Sequence, residues 1–130
     1  MSHAILDEED LYPGPQSEPF VMAEQSEVEQ VGEGIRRQFL GFNDQIMAVR
    51  VWFDKGAVGE IHTHYHSQVS YVESGEFDVS VNGKIKTLKS GDSFYVVPHA
   101  PHGAICKREG VLIDMFAPMR EDFLGKVEQS

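Results

Sequence analysis

Two histidines stand two residues apart near the middle of this sequence, a glutamine follows them, and another histidine stands far downstream. These residues are His62, His64, Gln68 and His102. Alternate residues of a β-strand project to the same face, so His62 and His64 can point together, and neighbouring strands can bring in the other two side chains. Imidazole nitrogens and an amide oxygen suit a divalent first-row metal. We therefore predict a metal site that leaves coordination positions free for a substrate.

Two further histidines, His66 and His99, lie in the same two histidine-rich windows. If His64 and His66 formed the ligand pair instead, Ser70 would take the position of the fourth ligand, and a serine hydroxyl is a poor ligand. We therefore place His66 in a turn and His99 in a loop, where each is either a pocket-rim residue or a solvated loop residue.

A lone carboxylate interrupts an apolar stretch near the C-terminal end of the chain. Asp114 stands within Val111–Phe116, where its burial is costly unless it is paired or hydrogen-bonded. Arg120 follows six residues later, beyond Pro118, and could fold back towards it. Three interpretations are open: a functional acid with its arginine, a structural Asp–Arg ion pair, or an aspartate on a solvated outer face.

Short strands separated by turns must position these side chains. Apolar residues occupy every second position from Met47 to Phe53, and Asn82–Gly83 predicts a two-residue hairpin turn. The predicted strands are Ile46–Phe53, Val69–Val72, Phe77–Val81, Lys84–Lys89, Ser93–Val97, Gly103–Cys106 and Val111–Ala117, and a short helix is predicted over Met119–Val127. This pattern indicates an all-β fold, either a barrel or a sandwich.

The acidic charge of the chain is concentrated near its N-terminus. The chain has 130 residues and a formal net charge of −10, and residues 1–30 contain 8 acidic residues and no lysine or arginine. The remaining residues carry 13 acidic and 11 basic side chains and are close to neutral. We therefore predict an acidic N-terminal extension over residues 1–30, a single domain over 31–124 and a C-terminal tail over 125–130.

The composition also limits the compartment and the partners. There is no basic stripe of the kind that binds nucleic acid, and no apolar stretch that suits a membrane span or a signal peptide. The single cysteine, Cys106, excludes an intrachain disulfide and fits a reducing compartment. We expect a cytoplasmic protein that acts on a small molecule, with neither nucleic acid nor a membrane as a partner.

Two apolar features are candidates for contact with a second copy of the chain. Phe20–Met22 is the apolar patch of the extension, and it is either a strand added to a sheet edge, such as that of a partner subunit, or a disordered stretch. Trp52 lies on the face of its strand opposite the core, where it is either a dimer contact or a single exposed aromatic residue. We therefore expect a homodimer.

The spacing of the two histidine-containing motifs resembles that of the cupin superfamily. The first motif comprises Gly56, His62, His64, Gln68 and Gly75, and the second comprises Gly91, Pro98 and His102. Gln68 replaces the glutamate of most cupins, and Cys106 stands where many members have asparagine. The resemblance implies a single cupin barrel, which is a double-stranded β-helix or jelly roll.

Longer segments resemble the small cupins of the pectin-degradation, KdgF-type family across residues 31–124. They include Gly34–Gly41, Lys55–Gly59, Tyr71–Phe77 and Ala117–Leu124. The resemblance implies that Gln68 is the expected residue at its position and that the activity is ring opening of 4,5-unsaturated uronates from pectin or alginate. It also implies one divalent transition metal (nickel, zinc, iron or manganese) held by His62, His64, Gln68 and His102.

The same resemblance implies that Asp114, Phe116 and Arg120 belong to the catalytic site. Asp114 would act as the general acid and base, Arg120 would bind the substrate carboxylate through a bidentate pair, and Phe116 would support one face of the sugar. Two other functions stay open on the same barrel: a metal-dependent dioxygenase or lyase, and a non-catalytic ligand-binding or sensor protein.

Overall fold

Eight β-strands form the body of the protein, and short helices lie near both ends of the chain. The structure is a computed structural model that describes residues 5–128. Its elements are α1 (Glu8–Leu11), a 3₁₀ turn (Ala23–Gln25), β1 (Glu29–Gly32), β2 (Ile35–Asn43), β3 (Ile46–Phe53), β4 (Val58–His62), β5 (Ser67–Val81), β6 (Lys84–Lys89), β7 (Ser93–Val96), β8 (His102–Ala117) and α2 (Glu121–Glu128). No helix in the described range is long and apolar enough to cross a membrane.

The strands pair in an antiparallel sheet that wraps around one core through its two longest members, β5 and β8. The strand order is β1-β2-β3-β8-β5-β6, with β4 also paired to β8 and β7 also paired to β5. The first part of β8 lies beside β4 and its later part lies beside β3, while β5 accompanies it almost throughout. This architecture confirms the predicted all-β jelly-roll barrel.

The two longest strands each join two segments that the sequence predicted as separate strands. These segments are Val69–Val72 and Phe77–Val81 in β5, and Gly103–Cys106 and Val111–Ala117 in β8. The predicted breaks were wrong because Gly75 and Gly110 allow the two strands to approach closely, with an irregular register, and do not end them. Gly75 has a φ of +84°, and a Cβ atom there would lie 2.6 Å from the carbonyl oxygen of Arg108.

Several other predicted elements agree with the structure. β3 and β6 have the predicted bounds, and the hairpin between β5 and β6 turns at Asn82 and Gly83 with positive φ values of 50° and 83°. α2 begins at Glu121 instead of Met119 and continues into the predicted tail. Residues 1–4 of the predicted extension and 129–130 of the predicted tail lie outside the described residues.

The interior of the barrel changes from apolar to polar along its length. At the apolar end the rings of Phe53 and Phe77 pack edge to face with their centres 5.2 Å apart. Towards the other end the inward positions of β5 are Gln68 and Ser70, which are both buried, and Ser70 lies opposite Asp114 on β8. Because an apolar core cannot satisfy such groups, they must bind one another or a ligand.

The acidic extension is attached to the sheet at β2. The side-chain amide of Gln38 donates hydrogen bonds to the carbonyl oxygens of Ala23 (2.9 Å) and Ser26 (3.2 Å). Further along, β1 pairs with β2, and the Glu29 carboxylate accepts a hydrogen bond of 2.6 Å from the buried guanidinium of Arg37. The predicted end of the extension, at residue 30, therefore falls inside β1.

Both features that were predicted to contact a second copy are accessible from solvent. Phe20–Met22 forms no strand with the described part of this chain, and the Phe20 side chain is 84% exposed. Trp52 is partly exposed on the outer face of β3, where the guanidinium groups of Arg36 and Arg50 lie 5.9 Å and 5.8 Å from its ring centre. The homodimer stays a prediction.

Candidate metal centre and active site

Three imidazole rings meet at the polar end of the barrel. β4 ends at His62 and β8 begins at His102, and these two residues lie opposite each other across the strands. His64 lies two residues beyond β4. The ring centres are 4.3 Å apart for His62 and His102, 4.7 Å for His64 and His102, and 5.5 Å for His62 and His64. The candidate ligand atoms of the three rings all lie within 4.8 Å of one another.

Backbone carbonyl groups fix the protonation of all three rings. Each Nδ1 atom donates a hydrogen bond to a carbonyl oxygen two residues away: His62 to Glu60 (2.8 Å), His64 to His66 (3.1 Å) and His102 to Ala100 (2.9 Å). A carbonyl oxygen can only accept, so Nδ1 must carry the proton of each neutral ring. Each Nε2 atom then keeps a free lone pair, which is the form that binds a metal.

Burial keeps two of these rings neutral. It lowers the pKa of His102 to about 4, and the positive charges of its neighbours, including Arg120, add to this effect. Burial also lowers the pKa of His64 below its usual value. Both imidazoles therefore present lone pairs near neutral pH, where a more exposed histidine would begin to take up protons.

Gln68 places its amide oxygen between two of the rings. Oε1 lies 2.9 Å from Nε2 of His64 and 3.1 Å from Nε2 of His102. Because each ring donates its one N–H group to the backbone, neither Nε2 atom has a proton to give to this oxygen. Lone pairs therefore converge with no hydrogen atom between them, and a bound cation is the group that would satisfy them.

The donor set fits a divalent first-row metal. Neutral imidazole nitrogens and a neutral amide oxygen are suitable ligands for such an ion. Hydrogen bonds from the atoms that face away from the centre orient the ligands, as in established metal sites. The structure thus brings together all the side chains that the sequence predicted as ligands: His62, His64, Gln68 and His102.

Asp114 lies in the same cavity and is linked to Gln68 through Ser70. The amide nitrogen of Gln68 donates to the Ser70 hydroxyl (2.9 Å), and this hydroxyl donates to Oδ1 of Asp114 (2.6 Å). Burial raises the pKa of the Asp114 carboxyl to about 6, although the hydrogen bond from Ser70 and the charge of Arg120 partly oppose the shift. The carboxyl, which lines the cavity beside His62, can therefore take up and release a proton near neutral pH.

Phe116 lies beneath the site and not at its open surface. Its side chain is only 3% exposed, and its ring packs edge to face against His64 with the ring centres 5.8 Å apart. The guanidinium of Arg120 lies 5.1 Å from the centre of the same ring. These contacts make Phe116 a support for His64 and Arg120, and its support of one face of a sugar stays a prediction.

Arg120 binds a carboxylate other than the one that the sequence suggested. Its Nε and Nη2 atoms donate to both oxygens of Asp122, at 2.9 Å and 2.8 Å, and its guanidinium lies 4.2 Å from the ring centre of Phe123. The interpretation of Asp114 as the ion-pair partner of Arg120 is thus wrong, because an aspartate two residues away binds the guanidinium instead. The positive charge of Arg120 still acts on Asp114 through space.

The two remaining histidines occupy different environments. His66 was predicted at a rim or in solvent, but it is only 3% exposed and stacks on Tyr65 with ring centres 3.9 Å apart. The prediction was wrong because the first turn of α2 folds over this position, where Glu121 binds both Nε2 of His66 (3.3 Å) and the Tyr65 hydroxyl (2.6 Å). His99 is an exposed loop residue, and its backbone N–H group donates to the carbonyl oxygen of His64 (2.8 Å).

Sequence reasoning missed Ser70 and Asp122 as members of the site. The sequence marks Ser70 only as a poor metal ligand. Its position two residues after Gln68, on the same face of β5, was the available signal for its contact with the Gln68 amide. Asp122 follows Arg120 closely, at the start of α2, and acidic residues are common in the first turn of a helix.

The fold and the two histidine motifs define a cupin. The family model described as a cupin domain matches residues 49–116, which include all the candidate metal ligands. Oxalate decarboxylase of Bacillus subtilis shares this fold with a TM-score of 0.68 at 17% identity, over 76% of this chain and 29% of the decarboxylase chain.

More similar relatives identify the branch of that class. The chain is 44% identical over 98 residues to the pectin degradation protein KdgF of Dickeya dadantii (strain 3937), covering 74% of this chain and 89% of the relative. The structure of KdgF from Halomonas sp. matches with a TM-score of 0.78 and 36% identity, over 82% of this chain and 99% of that one. The chain belongs to the KdgF family of cupins, as its motifs indicated.

A second solved structure matches at higher identity. An RmlC-like cupin from Shewanella frigidimarina NCIMB 400 is 60% identical, with a TM-score of 0.81 over 83% of this chain and 97% of that one. Because the match covers nearly all of that protein, the part of the fold that carries the site is common to both.

Proposed function

We propose that this protein is a metal-dependent enzyme that opens the ring of 4,5-unsaturated uronates derived from pectin or alginate. The relative named for pectin degradation supports the substrate class. The convergence of imidazole and amide lone pairs at Gln68 Oε1 is the observation that carries the metal dependence. The reaction isomerises the substrate, so the protein needs no co-substrate.

The reaction requires two proton transfers. The cyclic substrate carries a C4=C5 double bond next to its carboxylate, and a hydroxyl group on the anomeric carbon. Loss of the hydroxyl proton and cleavage of the bond between the anomeric carbon and the ring oxygen give an aldehyde and an enolate. A proton delivered to C4 then converts the enolate into a ketone. The protein must therefore accept a proton at one position and deliver one at another.

His62, His64, Gln68 and His102 would hold the metal. When bound, a divalent metal such as nickel, zinc, iron or manganese supplies a Lewis acid for substrate oxygens. A glutamine ligand brings no negative charge, and the three imidazoles are also neutral ligands. The cavity beside these residues is also lined by the apolar side chains of Phe53, Phe94 and Leu112.

Asp114 is the group best suited to move these protons. A pKa of about 6 places its carboxyl between its two protonation states near neutral pH, as an acid–base catalyst requires. Its Oδ1 atom is held by the Ser70 hydroxyl, so the second oxygen is the one left to act on a substrate. Asp114 would accept the hydroxyl proton and then donate a proton to C4.

Arg120 is the candidate for binding the substrate carboxylate. Asp122 binds two of its nitrogens, and the remaining N–H groups are left to recognise an anion. Phe116 and Phe123 pack against the guanidinium and hold its plane. A rigid, pre-oriented guanidinium loses little entropy when a carboxylate binds.

The substitution Arg120→Ala should raise KM by about 10- to 100-fold with a smaller change in kcat. A hydrogen bond to a charged group contributes about 1.5–3 kcal/mol, and this contact would be similar in the ground and transition states. Steady-state kinetics measure the changes in KM and kcat separately. Arg36→Ala, on the outer face beside Trp52, is the matched control and should leave both constants unchanged. An unchanged KM in Arg120→Ala would contradict the role.

Product analysis in deuterated water tests the proposed reaction. The protein should convert unsaturated galacturonate into its open-chain keto form and place one deuterium atom stereospecifically at C4, because a fixed group delivers it. Spontaneous opening should place deuterium in either of the two hydrogen positions on C4, without preference. Nuclear magnetic resonance distinguishes the two patterns. Oxygen uptake during the reaction, or a different product, would favour the dioxygenase or lyase alternative.

A further inference from the structure

Ser70 takes no part in the proposed proton transfers, yet it has no exposed surface and lies between Gln68 and Asp114. We infer that Ser70 is a positioning residue that determines which end of the Gln68 amide faces the metal. This inference rests on the proposed metal centre. It adds a residue that neither binds the metal nor touches the substrate.

The single proton of the Ser70 hydroxyl sets the direction of the hydrogen bonds. Ser70 Oγ donates this proton to Oδ1 of Asp114 at 2.6 Å. Having no second proton, the hydroxyl can only accept from Gln68, and it accepts the Nε2 hydrogen at 2.9 Å. The amide nitrogen is therefore turned towards Ser70, and the amide oxygen is turned towards His64 and His102.

Without Ser70, the metal-free site would favour the opposite orientation of the amide. The two ends of an amide have nearly the same shape, so packing does not distinguish them. A reversed Gln68 would point its N–H groups at the lone pairs of His64 and His102 and would form good hydrogen bonds there. That arrangement satisfies the same lone pairs that a metal needs. Ser70 thus prevents the N–H groups of Gln68 from occupying the lone pairs of His64 and His102.

The test compares Ser70→Ala in two backgrounds. In the wild-type background, we expect Ser70→Ala to weaken binding of Zn²⁺ and Ni²⁺ by about 10- to 100-fold, the usual effect of losing a group that orients a ligand. In a Gln68→Glu background the side chain presents an oxygen at both ends, so its orientation no longer matters. The same serine substitution should then cause no loss. Competition with a chromophoric chelator measures each affinity.

A purely structural role would give a different pattern. Equal losses in both backgrounds, or no loss in the wild-type background, would overturn the inference. Ser93→Ala, at an exposed strand position on β7, is the matched control and should bind metal as the wild type does. Circular dichroism checks the fold of each variant.

A second variant covers the case in which Ser70→Ala does not fold. Ser70→Thr keeps the hydroxyl and should retain wild-type metal affinity, whereas a tenfold loss in a folded Ser70→Thr protein would overturn the inference. Failure of this inference can be distinguished from failure of the proposed metal centre. If the wild-type protein itself bound neither metal, the centre would be rejected and not only the role of Ser70.

Discussion

The double variant His62→Ala, His102→Ala should contain almost no divalent metal, whereas the wild-type protein should contain one ion per chain. The substitutions remove two of the three imidazoles whose candidate ligand atoms lie within 4.8 Å of one another. The remaining His64 and Gln68 form too small a donor set to hold an ion during purification. Elemental analysis measures the content, and ring opening should fall to the spontaneous rate.

His99→Ala is the matched control for this experiment. It removes a histidine from the same window, but its side chain is exposed in a loop and is not part of the cluster. Metal content and activity should be unchanged. Full metal occupancy in the double variant would place the ion elsewhere and reject this centre.

Metal binding should also persist in mildly acidic solution. Protons compete with the metal for each imidazole below the pKa of that ring. Since burial lowers the pKa of His102 to about 4 and lowers that of His64 as well, these two rings should keep their lone pairs at a pH where an ordinary histidine is half protonated. Proton competition at these two rings should therefore weaken metal binding only as the pH falls towards their lowered pKa values.

Asp114→Asn should lower kcat by about 10²- to 10⁴-fold while the metal content stays at the wild-type level, because general acid–base catalysis contributes a factor of this size. Asparagine keeps the shape of the side chain and an oxygen that can accept the Ser70 hydrogen bond. Its amide group cannot take up or release the proton. Single-turnover rates and elemental analysis on the same sample separate chemistry from metal loss.

The pH dependence of kcat/KM gives an independent check on Asp114. The pKa of the Asp114 carboxyl is about 6 without a bound cation. The carboxylate form accepts the first proton, so kcat/KM should rise with pH through the pKa of this group and then level off. A bound cation stabilises the carboxylate and moves this rise in kcat/KM to lower pH. Asp78→Asn, a substitution elsewhere on β5, should keep the rise of kcat/KM with pH, whereas Asp114→Asn should lose it. A wild-type rate in Asp114→Asn would leave the substrate assignment intact but reject the mechanism.

The metal ligands could be predicted from the sequence because their geometry is mostly local. His62, His64 and Gln68 lie within seven residues, at the junction between β4 and β5, and the short turn there leaves few ways to arrange them. His102 was the long-range member of the set. The second motif placed it, since a histidine that begins one strand can lie opposite a histidine that ends another.

The errors arose where distant contacts overrode local signals. His66 has the sequence context of a turn, but Glu121 binds it from 55 residues further along the chain. Gly75 and Gly110 resemble strand ends, yet their missing side chains serve the close crossing of β5 and β8. Arg120 shows the opposite error. The sequence suggested a contact with the more distant Asp114, but the guanidinium binds the carboxylate of Asp122, two residues away.

The role of Ser70 could not be predicted from its neighbours in the sequence. Its importance depends on the register that places it opposite Asp114, and this register follows from the pairing of two strands whose facing residues are 44 positions apart. Alternation along β5 puts Ser70 on the same face as Gln68. Only the fold shows that the same hydroxyl contacts the acid.

The initial rate of unsaturated galacturonate ring opening tests the central claim most directly. Loss of the conjugated double bond removes an ultraviolet absorbance that can be followed continuously, with the spontaneous reaction as the blank. We predict that metal-loaded wild-type protein accelerates this loss in proportion to its concentration, and that the His62→Ala, His102→Ala variant does not. If the metal-loaded wild-type protein gave no acceleration with unsaturated galacturonate or with the alginate-derived epimers, the proposed function would be contradicted.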